Sequence, residues 1–161
     1  MMKIRSLFPV VALVLCSCSQ PSTTDLNADH PDDVVQIQRV LNDVFDAAAK
    51  KDFPRLDSYH FYGPKFTKFD DFEPLTRHDA AAGRKAEHDG LGSISDLSVK
   101  ADGLKIDVFD NVAIATFVLD YGFKAGNDTI RTRARSTLVF VEDQGAWKIA
   151  HEHFSAFKSN P

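Results

Sequence analysis

The stretch Trp147-Lys148-Ile149-Ala150-His151-Glu152-His153-Phe154-Ser155 decides the fold. It follows the turn-forming Asp143-Gln144-Gly145 and closes the last strand-like run. Side chains of an extended chain alternate between faces. Strict alternation puts Trp147, Ile149, His151, His153 and Ser155 on one face, and Lys148, Ala150, Glu152 and Phe154 on the other. The first face passes from Trp and Ile to His, His and Ser, which predicts a strand running from core to pocket wall. Glu152 falls on the opposite face and is expected to meet a surface or interface cation.

Upstream lie three more runs rich in Val, Ile, Thr and Phe: Ile94 to Val108, Val112 to Lys124 and Thr129 to Glu142. Asp110-Asn111 and Ala125-Gly126-Asn127 separate them as turns, so with Ala146 to Phe157 they read as an antiparallel meander. Ala101-Asp102-Gly103 is expected to bulge the first run.

Helical patterns come first in the chain. Val34, Ile37, Val40, Leu41, Val44, Phe45 and Ala48 form one apolar stripe behind a cap at Asp32 or Asp33. Asp52-Phe53-Pro54 starts a short second helix, with Asp52 as its cap. Phe66-Thr67-Lys68-Phe69 alternates as a short strand. A third helix is expected over about Asp79 to Leu91, with Thr76 a candidate cap and Gly83 weakening it. Helices first and long strands afterwards give an α+β domain: a curved antiparallel sheet packed on N-terminal helices.

This order, and above all the segment TRARSTLVFVEDQGAWKIAHEHFSAF, resembles the SnoaL-like branch of the nuclear transport factor 2-like superfamily. The carrying residues are Arg133 and Arg135 ahead of Thr137, then Trp147, His151-Glu152-His153 and Ser155. The same ending is similar to the association domain of calcium/calmodulin-dependent protein kinase II. The resemblance implies a cone-shaped domain, commonly a dimer, with a pocket between curved sheet and helices. It implies no single chemistry, since members include isomerases, cyclases, dehydratases and oligomerisation modules.

The N-terminus reads differently. Lys3 and Arg5 precede the nine-residue apolar run Leu7 to Leu15, interrupted only by Pro9. A membrane-spanning helix takes about 20 residues, so this run reads as a secretory h-region. Leu15-Cys16-Ser17-Cys18 resembles a bacterial lipobox, with Cys18 as the lipidated residue. An ordinary cleaved signal is the other reading. Ser19 after the cysteine resembles an outer-membrane sorting signal, which would leave the protein facing the periplasm. Residues 1–17 are then a signal peptide, 18–31 a Ser/Thr/Asn/Pro-rich tether and 32–158 the domain.

The net charge of −4, with 19 Lys and Arg scattered among 23 Asp and Glu, argues against nucleic acid as a partner. With Cys16 removed in the signal peptide and Cys18 acylated, a disulfide, a catalytic thiol or a thiolate metal site is not expected in the domain. There is no glycine-rich phosphate loop, G-x-S-x-G elbow or zinc spacing, and no cofactor is expected.

The candidate site residues are Arg133, Arg135, His151 and His153 as polar contacts, with Tyr121 and Trp147 as walls. His151 and His153 are also the best candidates for an acid or base. Each has a plainer reading: a hydrogen-bonded core histidine, or arginines that are solvated or paired with Asp120 or Glu152. H-x-H could place two imidazoles on one metal, but no third ligand stands out, so no metal is assigned. The functions these residues support are binding of a small organic ligand, anionic ones included, acid–base catalysis in the same pocket, or dimerisation without chemistry.

Overall fold

The computed structural model describes residues 25–157. The signal peptide, Cys18 and residues 18–24 of the expected tether lie outside the described residues. Helix α1 spans Pro31–Lys50, with His30 at the N-cap and Pro31 in the first turn. Asp32 and Asp33 are therefore not caps. They sit in the first turn, where a carboxylate favours the positive end of the helix. Ile37, Leu41, Val44 and Ala47 make its buried stripe. Helix α2, Phe53–Ser58, begins at the expected Asp52, whose side chain accepts from the Arg55 amide at 3.3 Å. The Arg55 guanidinium clamps it to α1 through Asp43 and Asp46, each at 2.6 Å.

Strand β1 is Thr67–Phe69. Helix α3, Ala80–Ser93, is capped by Asp79, which accepts from the Ala82 amide at 2.9 Å, rather than by Thr76. A side chain at Gly83 would place its Cβ 3.0 Å from the Phe66 ring. The glycine therefore lets α3 lie against the segment leading into β1.

Strands β2 (Ser95–Phe109), β3 (Val112–Ala125), β4 (Asp128–Asp143) and β5 (Ala146–Ala156) form the expected meander. The sheet order is β1-β5-β4-β3-β2. Because β1 joins β5 in parallel, the sheet is mixed rather than wholly antiparallel. In β2 the register shifts between Asp102 and Lys105, around Gly103 with φ 65°, as the bulge predicts.

Another bulge corrects the reading of β5. Ile149 pairs with Phe140, while His151 pairs with the adjacent Val139. Ala150 is the extra residue, and the alternation changes phase there. Trp147 and Ile149 face the core, but beyond Ala150 the inward positions belong to Glu152 and Phe154. Glu152 is 3% exposed. It is a buried residue, not a surface partner.

The core lies between α1, α2 and the inner face of the sheet, around Ile37, Leu41, Leu56, Phe140 and Ile149. Among the described residues no helix is long and apolar enough to cross a membrane.

Candidate functional site

A cavity of about 610 Å³ lies between α1 and α3 on one side and strands β2 to β5 on the other. Its walls are largely apolar. The odd-numbered residues of β3 supply Phe117, Leu119, Tyr121 and Phe123 to it, and Leu138 and Phe154 join them from β4 and β5. That parity follows from simple alternation in β3, where no register shift against β4 intervenes.

One end of the cavity is ionic. Lys68 and Glu152 are register partners across the parallel β1–β5 pair, and Lys68 Nζ lies 3.1 Å from Glu152 Oε2. Asp70, two residues beyond Lys68 on the same side of the chain, lies 3.5 Å from the ammonium. Glu87 reaches down from α3 to 3.7 Å. Behind them, His60 donates from Nδ1 to the Leu56 carbonyl at 3.0 Å, and its Nε2 faces Glu152 Oε1 at 3.5 Å. The Tyr62 ring stacks on His60 at 4.9 Å, and its hydroxyl donates to Glu87 at 3.0 Å.

Burial would lower the pKa of Lys68, but the Glu152, Glu87 and Asp70 carboxylates overcome it and hold the ammonium above its ordinary value. Burial would likewise raise Glu152; Lys68 and then His60 outweigh it and bring the carboxyl down to about 2. His60 loses charge stability by burial and regains more from Glu152 and Glu87, so its pKa is raised. Asp70 goes the other way. Its burial raises its pKa, and Lys68 only partly offsets that. Among the described residues its Oδ2 has no hydrogen-bond partner. At the other polar spot on the wall, Tyr121 donates to Asp71 at 3.0 Å, and burial followed by Asp71 pushes the phenol up.

Ligand atoms of His60, Glu87 and Glu152 lie within 4.8 Å of one another, the spacing of a metal trio. The charge a metal would bring there is already supplied by Lys68, ion-paired with both carboxylates.

Of the residues singled out in the sequence, the structure puts Tyr121 on the cavity wall. Trp147 is buried at the other end of β5, where its indole donates to Asp33 at 3.2 Å and ties the start of α1 to the sheet. His151 and His153 lie on the outer face because of the bulge at Ala150. There His151 Nδ1 meets the Thr67 hydroxyl at 2.8 Å, and Phe69 lies beside both rings. Arg133 and Arg135 are on the same outer face, stacked over Phe157 at 5.3 and 4.4 Å. The histidines and arginines are thus brought together, but behind the sheet rather than in the cavity.

Sequence reasoning missed Lys68, Asp70, Glu87 and Glu152. A signal was present: Phe66, Lys68 and Asp70 share one parity in and beside the short strand, with the apolar Phe66 marking the inward side.

The comparisons agree with this architecture. A nuclear transport factor 2-like superfamily protein from Salmonella enterica is 18% identical, with a TM-score of 0.70 over 82% of this chain and 96% of that one. The CaMKII hub of S. rosetta is 22% identical, with a TM-score of 0.65 over 76% and 95%. A proposed dehydratase of the NTF2-like family from Streptomyces avermitilis is 16% identical, with a TM-score of 0.72 over 81% and 100%. No curated protein matches the sequence significantly. The SnoaL-like domain matches residues 37–159, a range that takes in most of α1, every later element and the cavity lining, and the chain belongs to that family.

Proposed function

We propose that the domain binds a small organic molecule in the cavity under α3. The observation that carries this reading is a space of about 610 Å³ with apolar walls and a few converging polar groups. Ligand sites commonly have that make-up and a volume of roughly 300–1,000 Å³. The ionisable lining comprises Lys68 against Asp70, Asp71, Glu87 and Glu152, which favours neutral or cationic ligands over the anionic ones suggested by the arginines. A thermal-shift screen of apolar small molecules tests it. Hits should be weakened in Leu119→Trp, which narrows the cavity, and kept in Arg135→Ala and His153→Ala. Hits unchanged by Leu119→Trp would place binding elsewhere.

An acid–base enzyme, such as an isomerase, cyclase or hydrolase, is the second reading. Asp70 supports it, because a buried carboxyl with a raised pKa beside an apolar cavity has the character of a general base. Tyr121, which donates to Asp71, stands on the same wall. In this reading Asp70, not His151 or His153, takes the proton.

The reading extends to assembly and place. The outer sheet face, with Arg133, Arg135, His151, His153 and the half-exposed Phe157, supports a homodimer formed through it, and the likeness to hub domains agrees. Sedimentation of a monomer at micromolar concentration would remove that part. The Leu15-Cys16-Ser17-Cys18 sequence supports an exported, outer-membrane lipoprotein anchored at Cys18 and facing the periplasm. Metabolic labelling with a fatty-acid analogue should mark the protein, and Cys18→Ser should abolish the label.

A further inference from the structure

We infer that the cavity selects ligands with an apolar body and one protonated amine, and that Asp70 receives the amine. The inference rests on the binding reading above and adds the chemical class.

The carboxylates at the wall are unequally paired. Glu152 has two cationic partners, Lys68 at 3.1 Å and His60 at 3.5 Å, although its Oε2, like Asp70 Oδ2, accepts no hydrogen bond among the described residues. Glu87 accepts from Tyr62 at 3.0 Å, and Asp71 accepts from Tyr121 at 3.0 Å. Asp70 has one oxygen, Oδ1, at 3.5 Å from an ammonium already shared with two other carboxylates. Its other oxygen, Oδ2, accepts nothing from the described residues, although the side chain is 6% exposed. A buried acceptor without a donor costs about 1–3 kcal/mol. A donor carried into the cavity by a ligand would meet that need.

Charge selects the kind of donor. An ammonium at Oδ2 approaches the oxygen farther from Lys68 and completes a charge-assisted hydrogen bond. It would also hold Asp70 ionised against the burial that now raises its pKa. An alcohol supplies the hydrogen bond without the charge. A carboxylate would meet four like groups and compete for Lys68. The rest of the cavity, walled by residues such as Phe117, Leu119 and Phe123, takes the apolar body.

A matched trio tests this: 4-phenylbutylamine, 4-phenylbutan-1-ol and 4-phenylbutyrate, titrated calorimetrically at neutral pH into the full chain. The amine is expected to bind at least tenfold more tightly than the alcohol, and the carboxylate more weakly than either. In Asp70→Asn the amine's advantage should shrink to within about twofold while alcohol binding persists, which also shows that the variant is folded. If Asp70→Asn binds neither, the wild-type ratio decides. Equal binding of amine and alcohol, or tightest binding of the carboxylate, overturns the amine inference and leaves the cavity reading standing. If none of the three binds at millimolar concentration, both fall.

Discussion

Lys68 and Glu152 stand opposite each other in the parallel β1–β5 pair, their charged ends 3.1 Å apart and both side chains almost wholly buried. The short strand β1 is thereby fastened to the sheet by charge as well as by its backbone. The other ionic contacts at that end of the cavity are arranged around the pair.

Removing one partner of a buried ion pair typically costs about 3–5 kcal/mol, because the other is left uncompensated. Lys68→Met is therefore expected to lower unfolding stability by that order in urea titrations. The double variant Lys68→Met/Glu152→Leu should recover part of the loss, since it removes the uncompensated Glu152 but leaves Asp70 and Glu87 without the ammonium. A double variant as unstable as the sum of the singles would show that the pair is not the unit.

The acid limb of stability should carry the mark of Glu152. A carboxyl held below its unfolded value stabilises the fold above that value and loses its contribution as pH falls through the folded one. For Glu152 the window runs from 4.5 down to about 2. The stability gap between wild type and Glu152→Gln should stay wide at and above pH 5 and close across that window. A gap that narrows only above pH 6 would assign the effect to another group.

Asp70 predicts the opposite sign. Its folded pKa is raised, so the ionised form is disfavoured by folding once pH exceeds the ordinary 3.8. Asp70→Asn should therefore melt higher than wild type at pH 7, with the advantage disappearing below about pH 4. A variant that melts lower at pH 7 would mean that the Lys68 contact outweighs the cost of burial.

Gly83→Ala sets two effects against each other. Alanine gains up to about 1 kcal/mol of helix propensity. Its methyl would sit 3.0 Å from the Phe66 ring, which is 1% exposed and has little room to yield. Overpacking a tight site costs about 1–3 kcal/mol. The expected result is a net loss of about 1 kcal/mol in chemical denaturation, whereas Gly90→Ala, with nothing within 4 Å, should be stabilising.

These contacts show which parts of the molecule a sequence can disclose. The apolar stripe of α1, the Asp52 cap, the turns of the meander and the inward set Phe117, Leu119, Tyr121 and Phe123 follow from local periodicity, and each is where alternation places it. The ionic end of the cavity depends on what lies across from what. Lys68 meets Glu152 only because β1 docks in parallel on a strand more than 80 residues away. Glu87 joins them only because Gly83 allows α3 to approach. A single unpaired residue, Ala150, then reverses the alternation that assigned the histidines to the cavity. Nothing in Ile149-Ala150-His151 announces that reversal.

The bulge at Ala150 also makes β5 two strands in one. Its first half seals the hydrophobic interior with Trp147 and Ile149, and its second half furnishes the chamber with Glu152 and Phe154. Tolerance to substitution should therefore change step midway, with odd positions guarded before the alanine and even positions after it. Any comparison with a relative that slides by one residue there would exchange furniture for façade, crediting the chamber's chemistry to side chains that look outward.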